Sequence, residues 1–474
     1  MRKNKQMSLL DIYKDVEKRL ESDKPAIFKL LDEHIKWHEI IPDSFYLAFY
    51  KQNGRIRKYG LESFMRALFL QRIFHYVEDT QLLNTLRFSR EMREYCEFDK
   101  IPDASKLTRF KQTFCEYIRE VFENLVEITE PICREMDKEL SDMLVFDTTG
   151  IESYVTENNP KYLNKMKSQS KFISKTDPTF DASGGATALL SKVAASNSAV
   201  KLQYINGHFC YAQKAVVIAN GLGIVRHLEL LDDDFTKSHP EMEIEKRASC
   251  PELDKVIGDS TALRPVLNDF RKAHPNFKYS TFSADSAFDS YDNYTFLMKE
   301  CGFLKAVIPM NPRNSSAACD DGFNEHGIPL CPNDRTPFVF RGSCNGKNRS
   351  VRLKFACPRS RPIGNTRICG CDNPCTDSKY GKSVYVYPHR NIRLYPGLSR
   401  DSDEFAKIYN RRTAVERSIN SLKDTLGIAK RKTSNVLTTK ADLFIAGVVQ
   451  LICVLLADKL HDIKLARSPR RLIA

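Results

Sequence analysis

Apolar side chains recur at helical spacing through the first third of the chain. Leu107, Phe110, Phe114, Ile118, Phe122 and Leu125 follow one another at intervals of three or four, after the start signal Pro102-Asp103-Ala104-Ser105. A second pattern, Leu61 to Tyr76, carries Phe64, Leu68, Leu70 and Ile73, while Pro42, Gly54 and Gly60 divide the region into short helices. The pattern predicts a helical domain over residues 1–140, a candidate for DNA binding in which no recognition helix declares itself. Trp37, the only tryptophan, reads as a core or boundary residue.

At Met143 the texture changes. Met143 to Phe146 is a continuous apolar run of strand type, expected to end at Asp147-Thr148-Thr149-Gly150. An acid directly after a buried strand stands where open sheets place ligands, although a turn-initiating aspartate has the same local signature. From Glu157 to Gln203 the pattern dissolves into a lysine-rich and then a small-residue stretch, which predicts an inserted mobile loop over 157–203. His208 to Ile218 and Ile224 to Leu231 are strands joined by the turn Asn220-Gly221-Leu222-Gly223. His208 and Lys214 are single polar positions there that could face a substrate, although such residues usually face solvent. Val256 to Phe270 predicts a helix, with Pro265 against its continuity. Phe277 to Ala284 is a strand ended by Asp285, which repeats the arrangement at Asp147. Asn293 to Cys301 is helical, Gly302 stops it, and Leu304 to Ile308 is another strand.

The stretch 310–399 reads as an insertion. Six cysteines lie between Cys331 and Cys375 inclusive: Cys331, Cys344, Cys357, Cys369, Cys371 and Cys375. Their density suggests thiolate ligation of a structural zinc ion in the Cys331–Cys375 region, but no Cys-x-x-Cys pair is present and ordinary reduced thiols are the alternative. Phe338 to Phe340 and Val384 to Tyr387 look like strands, so a small β-rich subdomain is expected.

Tyr409 to Lys423 then forms an amphipathic pattern. On a helix turning roughly 100° per residue, Tyr409, Arg412, Glu416 and Lys423 share an arc of about 60°. Ile408, Val415, Ile419, Leu422 and Leu426 make the adjacent apolar stripe. Taken locally, Glu416 simply pairs with Arg412 one turn away. Taken with the strand-borne Asp147 and Asp285, it supplies a third carboxylate to one end of a mixed sheet.

Composition narrows the chemistry. A charged fraction of 28% and hydrophobic fraction of 42% are those of a globular protein. The formal net charge is +13, and Phe405 to Lys440 holds nine Lys or Arg against two acids. Lys161 to Lys175 adds five lysines without an acid, and such concentration suits phosphate contacts. The N-terminus shows no apolar signal core. The most apolar run, Leu443 to Ala457, is broken by Gln450 and shorter than the roughly 20 residues that span a bilayer, so a buried helix, no membrane partner and a cytoplasmic location with reduced thiols are expected.

Three converging carboxylates are hard ligands for magnesium or manganese, and a two-ion site of this kind serves in-line phosphoryl displacement. The spacing Tyr409-x2-Arg412-x3-Glu416-x6-Lys423 resembles in full the Tyr-Arg-Glu-Lys signature of a group of bacterial insertion-sequence transposases. Val145-Phe146-Asp147-Thr148-Thr149 and Ser283-Ala284-Asp285-Ser286-Ala287-Phe288-Asp289-Ser290 are similar to that group's first and second catalytic motifs. Ile101 to Phe110 resembles a motif of the N-terminal helical region of related elements. The resemblance implies a ribonuclease H-like core with a DDE triad, Asp147, Asp285 and Glu416, holding two Mg2+ or Mn2+ ions per active site. It implies cut-and-paste transposition, with cleavage at the element ends and transfer of the freed 3′-hydroxyls into target DNA. Tyr409, Arg412 and Lys423 would then contact DNA near the cleaved end. The partners implied are double-stranded DNA, as terminal inverted repeats and target, and a second copy of the chain in a paired-end complex.

The expected organisation is a helical domain at 1–140, a first part of the catalytic core at 141–309, the Cys-rich insertion at 310–399, and a C-terminal part of the core at 400–474 bearing Glu416 and a terminal helix. Two other readings stand beside it. One is a transposase-derived DNA-binding protein without catalysis, and the other a zinc-dependent structural protein that rests on the cysteines alone.

Overall fold

The structure is a computed structural model that describes residues 8–14, 16, 25–51, 56–177, 179–180, 189–205, 207–242, 256–311, 322–324, 327–344, 350–364, 366–390, 392–400 and 402–473. It is a mixed α/β chain in two compact units that do not follow sequence order: 1–136 with 150–213 and 420–474, and 137–149 with 214–419.

In the first unit, helices Leu61–Ile73, Ala104–Thr113 and Cys115–Met136 pack against the long C-terminal helix Val436–Lys459. Asp103 starts the second of these, its carboxylate accepting the Lys106 amide at 3.2 Å. Phe45, Phe49, Phe64, Phe110 and Phe114 interleave with ring centroids 4.6–6.4 Å apart. Trp37 is buried and its indole donates to the Tyr95 hydroxyl at 3.4 Å, as suits a core residue. Helix Val436–Lys459 has 24 residues, longer than the apolar run alone, and is long and apolar enough to cross a membrane. It is instead buried within the unit, with 89% of its most apolar window covered.

That burial encloses charge. Asp442, on the first turns of the C-terminal helix, meets Arg72 at 2.5 Å, Arg431 at 2.9 Å and Lys111 at 3.3 Å. Asp79 completes the cluster, 2.7 Å from Arg431 and 3.2 Å from Lys111.

Residues 160–176, expected as loop, form an α-helix, Pro160–Thr176. Its start is specified by Asn159, whose side chain accepts the Lys161 amide, followed by Pro at the first helical position. The helix escapes a search for apolar periodicity because only Met166 and Ser170 are buried and its lysines face solvent. Strands β2 (Val193–Ala194) and β3 (Asn197–Ile205) occupy the end of the same stretch, and β3 pairs antiparallel with the start of β4 (His208–Asn220).

The strand order about the second unit is β5-β4-β1-β6-β7, with β1 Met143–Glu152, β5 Val225–Leu230, β6 Thr281–Ser283 and β7 Lys305–Val307; of β1 and β4 the residues up to Thr149 and from Lys214 belong to this unit. β4 and β5 are antiparallel, whereas β1, β6 and β7 run parallel. The turn between β4 and β5 closes as expected, with Asn220 Oδ1 accepting the Leu222 and Ile224 amides at 3.1 Å. Leu144, Phe146, Phe282 and Ala284 bury one face of the sheet against helix Asp259–Ala273, which tolerates Pro265 in its interior. β1 does not end at Asp147; it continues to Glu152, because strand pairing rather than side-chain polarity sets its length.

The insertion carries a three-stranded sheet, β12-β9-β8, and a hairpin, β10-β11, comprising β8 Val339–Cys344, β9 Arg352–Ala356, β10 Ser360–Ile363, β11 Thr366–Cys369 and β12 Ser383–Val386. Buried ion pairing ties its return to the core. Arg393 binds both oxygens of Asp289, at 3.0 and 2.5 Å, and Arg400 donates to the Ile308 carbonyl at 2.5 Å. Gly397, at φ +89°, lies so close to the Leu304 carbonyl oxygen that a Cβ would stand 1.9 Å from it.

Candidate active site

The register of the parallel strands brings two acids level. Val145 pairs with Ser283, so Asp147 and Asp285 each stand two residues beyond the last paired position and on the same side of their strands. Asp147 Oδ1 accepts the Thr148 amide at 2.8 Å, and Asp285 Oδ1 accepts the Ala287 amide at 2.9 Å, capping the turn Ser286–Phe288.

Glu416 arrives on helix Thr413–Asn420, which is anchored by the buried Ala414, Val415 and Ile419. Ser418 Oγ donates to the Gly223 carbonyl at 2.6 Å, so the β4–β5 turn positions this helix. Arg412 lies between the acids, 2.6 Å from Glu416 Oε1 and 3.7 Å from Asp147 Oδ2. Its guanidinium stands 5.6 Å from the Tyr409 ring centroid.

The electrostatics follow from crowding. Burial, then the charge of Asp285, pushes the Asp147 carboxyl up to about 7, with Glu416 adding to the rise and the Thr148 amide and Arg412 opposing it. Burial also raises Asp285, and the charges of Asp259 and Glu416 act in the same direction. Asp259, at the start of helix Asp259–Ala273, is a fourth acid of the cluster. It accepts from Thr148 Oγ1 at 2.5 Å and pairs with Lys214 at 2.6 Å. Sequence reading missed it because an acid in the first turn of a helix is an ordinary capping signal. Lys214, for which solvent or a substrate was the expected surrounding, is held by this pair and by the Ile257 carbonyl at 2.7 Å.

Tyr409, Arg412, Glu416 and Lys423 do not share one continuous helix. The chain runs as helix Asp403–Asn410, a turn at Arg411 and Arg412, helix Thr413–Asn420, and a π-turn, Ser421–Thr425. Each change of winding shifts the angular phase, so a uniform 100° step does not apply across them. Asp147, Asp285, Glu416, Arg412 and Tyr409 belong to the second unit, and Lys423 to the first. The Lys423 ammonium donates to the Gly150 carbonyl at 2.9 Å. Beside it Glu152, His208 and Cys210 bring their ligand atoms within 4.8 Å of one another. Lys423 is close enough to act electrostatically on Glu152 and Cys210, so that trio already has a cation, and His208 is exposed as expected.

A cavity of about 970 Å³ in the first unit is bordered by Lys58, Arg87, Lys100, Lys106 and Arg109, with Asp103 the acid among its lining residues. Residues 14–113 match a family model described as a transposase domain (DUF772). The match supports a transposase family for this chain. It covers the helices from Ala26 to Thr113 and the basic cavity, and it stops before Asp147. No curated protein matches the sequence.

Proposed function

We propose that the chain is a DDE transposase whose second unit contains a ribonuclease H-like core. The strand order β5-β4-β1-β6-β7 supports this reading, with the antiparallel pair β5-β4 beside three parallel strands, β1, β6 and β7, and an acid beyond the paired stretch of each of β1 and β6. The observation that carries it is that Asp147, Asp285 and Glu416 stand near enough for their charges to act on one another, with Arg412 reaching both Asp147 and Glu416, while burial first and neighbouring charges second raise the two aspartates. Such a donor set, all oxygen and short of positive charge, fits hard divalent cations. Asp147, Asp285 and Glu416 would hold two Mg2+ or Mn2+ ions. When bound, these supply charge neutralisation at the scissile phosphate and a more acidic nucleophile.

The protein's own part is placement. Thr148 and Ala287 amides orient the two aspartates, and the Ser418–Gly223 bond holds the helix that bears Glu416. Arg412, which now balances the acids, becomes available to a substrate phosphate once cations do so, and Tyr409 stacks beside it. Lys423 and the basic cavity of the first unit add phosphate contacts of the sequence-independent kind. Cleavage at element ends, joining of 3′-hydroxyls to target DNA, and pairing of two chains across two ends complete the proposed cut-and-paste cycle.

The test is purified protein with Mg2+ or Mn2+ on DNA carrying the inverted repeats that flank the coding region. Cleavage at the repeat ends is expected. Binding without metal-dependent cleavage would instead identify a DNA-binding derivative of a transposase.

A further inference from the structure

Helix Pro160–Thr176 is fastened at its start and open along its length. It follows a single 3-10 turn, Thr156–Asn158, in which Asn158 donates to the Ser153 and Tyr211 carbonyls and accepts the Tyr211 amide, each at 2.8 Å. Buried Glu157 accepts the Ala195 amide at 2.7 Å. These bonds tie the turn to the end of β1 and to β4 within the first unit, so the helix leaves it in a fixed direction.

The helix has two unlike faces. On a step of about 100° per residue, the buried Met166 and Ser170 share an arc of about 100° with the half-buried Tyr162, Leu163 and Ile173. Lys161, Lys165, Lys167, Lys171 and Lys175, all exposed, occupy a separate arc of about 160°. They extend over roughly 21 Å of helix that carries no acid. Phe172 lies inside the same arc, one turn before Lys175, and is 68% exposed.

Such a face opposes the helix that bears it. Lys161 with Lys165, Lys167 with Lys171, and Lys171 with Lys175 are like-charge pairs one turn apart. Lys161 also sits in a first turn without an acid, where the helix dipole disfavours a cation. Among the described residues none of the five has an ion-pair partner, whereas the exposed Lys237, Lys272 and Lys459 each pair with an aspartate. A face kept for solubility alone interleaves both signs, and this one is neutralised only by a polyanion. Its apolar side is already covered by the protein, so the helix has no stripe with which to enter a lipid surface.

We infer that helix Pro160–Thr176 is a docking element for duplex DNA. Its lysines contact backbone phosphates without reading sequence, and Phe172 packs against a sugar or base edge. The inference rests on the DDE reading for the identity of the polyanion and requires none of Asp147, Asp285 and Glu416.

The test is fluorescence anisotropy of the full chain across a salt series, without divalent cations, on a duplex bearing the flanking inverted repeat and on an unrelated duplex. A variant with Lys→Gln at all five positions keeps helix propensity and relieves the repulsion, so its far-ultraviolet circular dichroism should match the parent's. The slope of log K against log salt should fall by at least about 2, and binding to both duplexes should weaken at least about tenfold. A control with Lys→Gln at Lys29, Lys138, Lys237, Lys272 and Lys459, exposed lysines elsewhere, loses the same charge and should keep the parent slope. Phe172→Ala should weaken binding with no change in slope. A fivefold variant that binds like the control, or a loss confined to the repeat-bearing duplex, would overturn the inference. So would binding of the parent to phosphatidylserine vesicles that the fivefold variant loses while its DNA binding stands. Failure of the DDE reading has a different mark: no metal-dependent cleavage, with the change in slope intact.

Discussion

Asp442→Asn tests how the C-terminal helix is held. The change keeps volume and removes one charge from a cluster in which Arg72, Lys111 and Arg431 face Asp442 and Asp79. The Arg72, Lys111 and Asp442 side chains are at most 1% exposed, so water cannot replace the lost partner. Burial pushes the Asp442 carboxyl up, but the charges of Arg431, Arg72 and Lys111 outweigh it and hold the group well below the usual carboxylate range. Removing one member of a buried pair costs about 3–5 kcal/mol, a large share of the roughly 5–15 kcal/mol by which domains are stable. The asparagine variant should therefore lose about 3–5 kcal/mol in urea unfolding followed by far-ultraviolet circular dichroism. The double change Asp442→Asn with Lys111→Met, which removes a cation as well, should recover part of that loss. Because the depressed acid contributes stability above its unfolded pKa, the wild type should lose that contribution as pH falls below about 4, and the variant should not. A loss under about 1 kcal/mol, or a double variant less stable than Asp442→Asn, would refute the reasoning.

Other outcomes follow from the same geometry. Asp147 is raised from 3.8 to about 7, so the folded chain binds more protons than the unfolded one between those values. Without divalent cations its stability should fall by up to about 4 kcal/mol as pH rises through that window, while Asp147→Asn flattens the slope in thermal unfolding against pH. Added Mg2+ should restore stability at pH 8 in the wild type and not in that variant. Arg412→Gln should lower the slope of log K against log salt for DNA-end binding by about 1, measured by fluorescence anisotropy. Gly397→Ala places a Cβ against the Leu304 carbonyl at a left-handed φ, and should cost more than about 2 kcal/mol by chemical unfolding.

Much of the architecture could be read from the residues because the signals were local. Each aspartate of the sheet follows a short apolar run, and the β4–β5 turn announces itself in Asn220 and its glycines. The C-terminal helix was legible from its apolar run, but its true length needed Val436 to Asp442, where polar residues are buried through partners distant in sequence. Helix Pro160–Thr176 stayed hidden because it buries almost nothing and so has no apolar period. The break at Arg411 and Arg412 and the π-turn at Ser421 keep the spacing of the signature while changing the faces its residues occupy, which no count of residues reveals. Asp259 and Lys214 depend on a pairing across more than forty residues, a tertiary fact without a sequence mark.

The central claim is that Asp147, Asp285 and Glu416 act as one metal-holding set on DNA. The most direct measurement is Mn2+-dependent cleavage of repeat-bearing DNA by Asp147→Asn, Asp285→Asn and Glu416→Gln, with DNA binding measured in parallel. Each variant should lose more than about a thousandfold in cleavage rate, roughly 4 kcal/mol of barrier, while binding DNA nearly as well as the parent. Full cleavage by any one of the three would contradict the account.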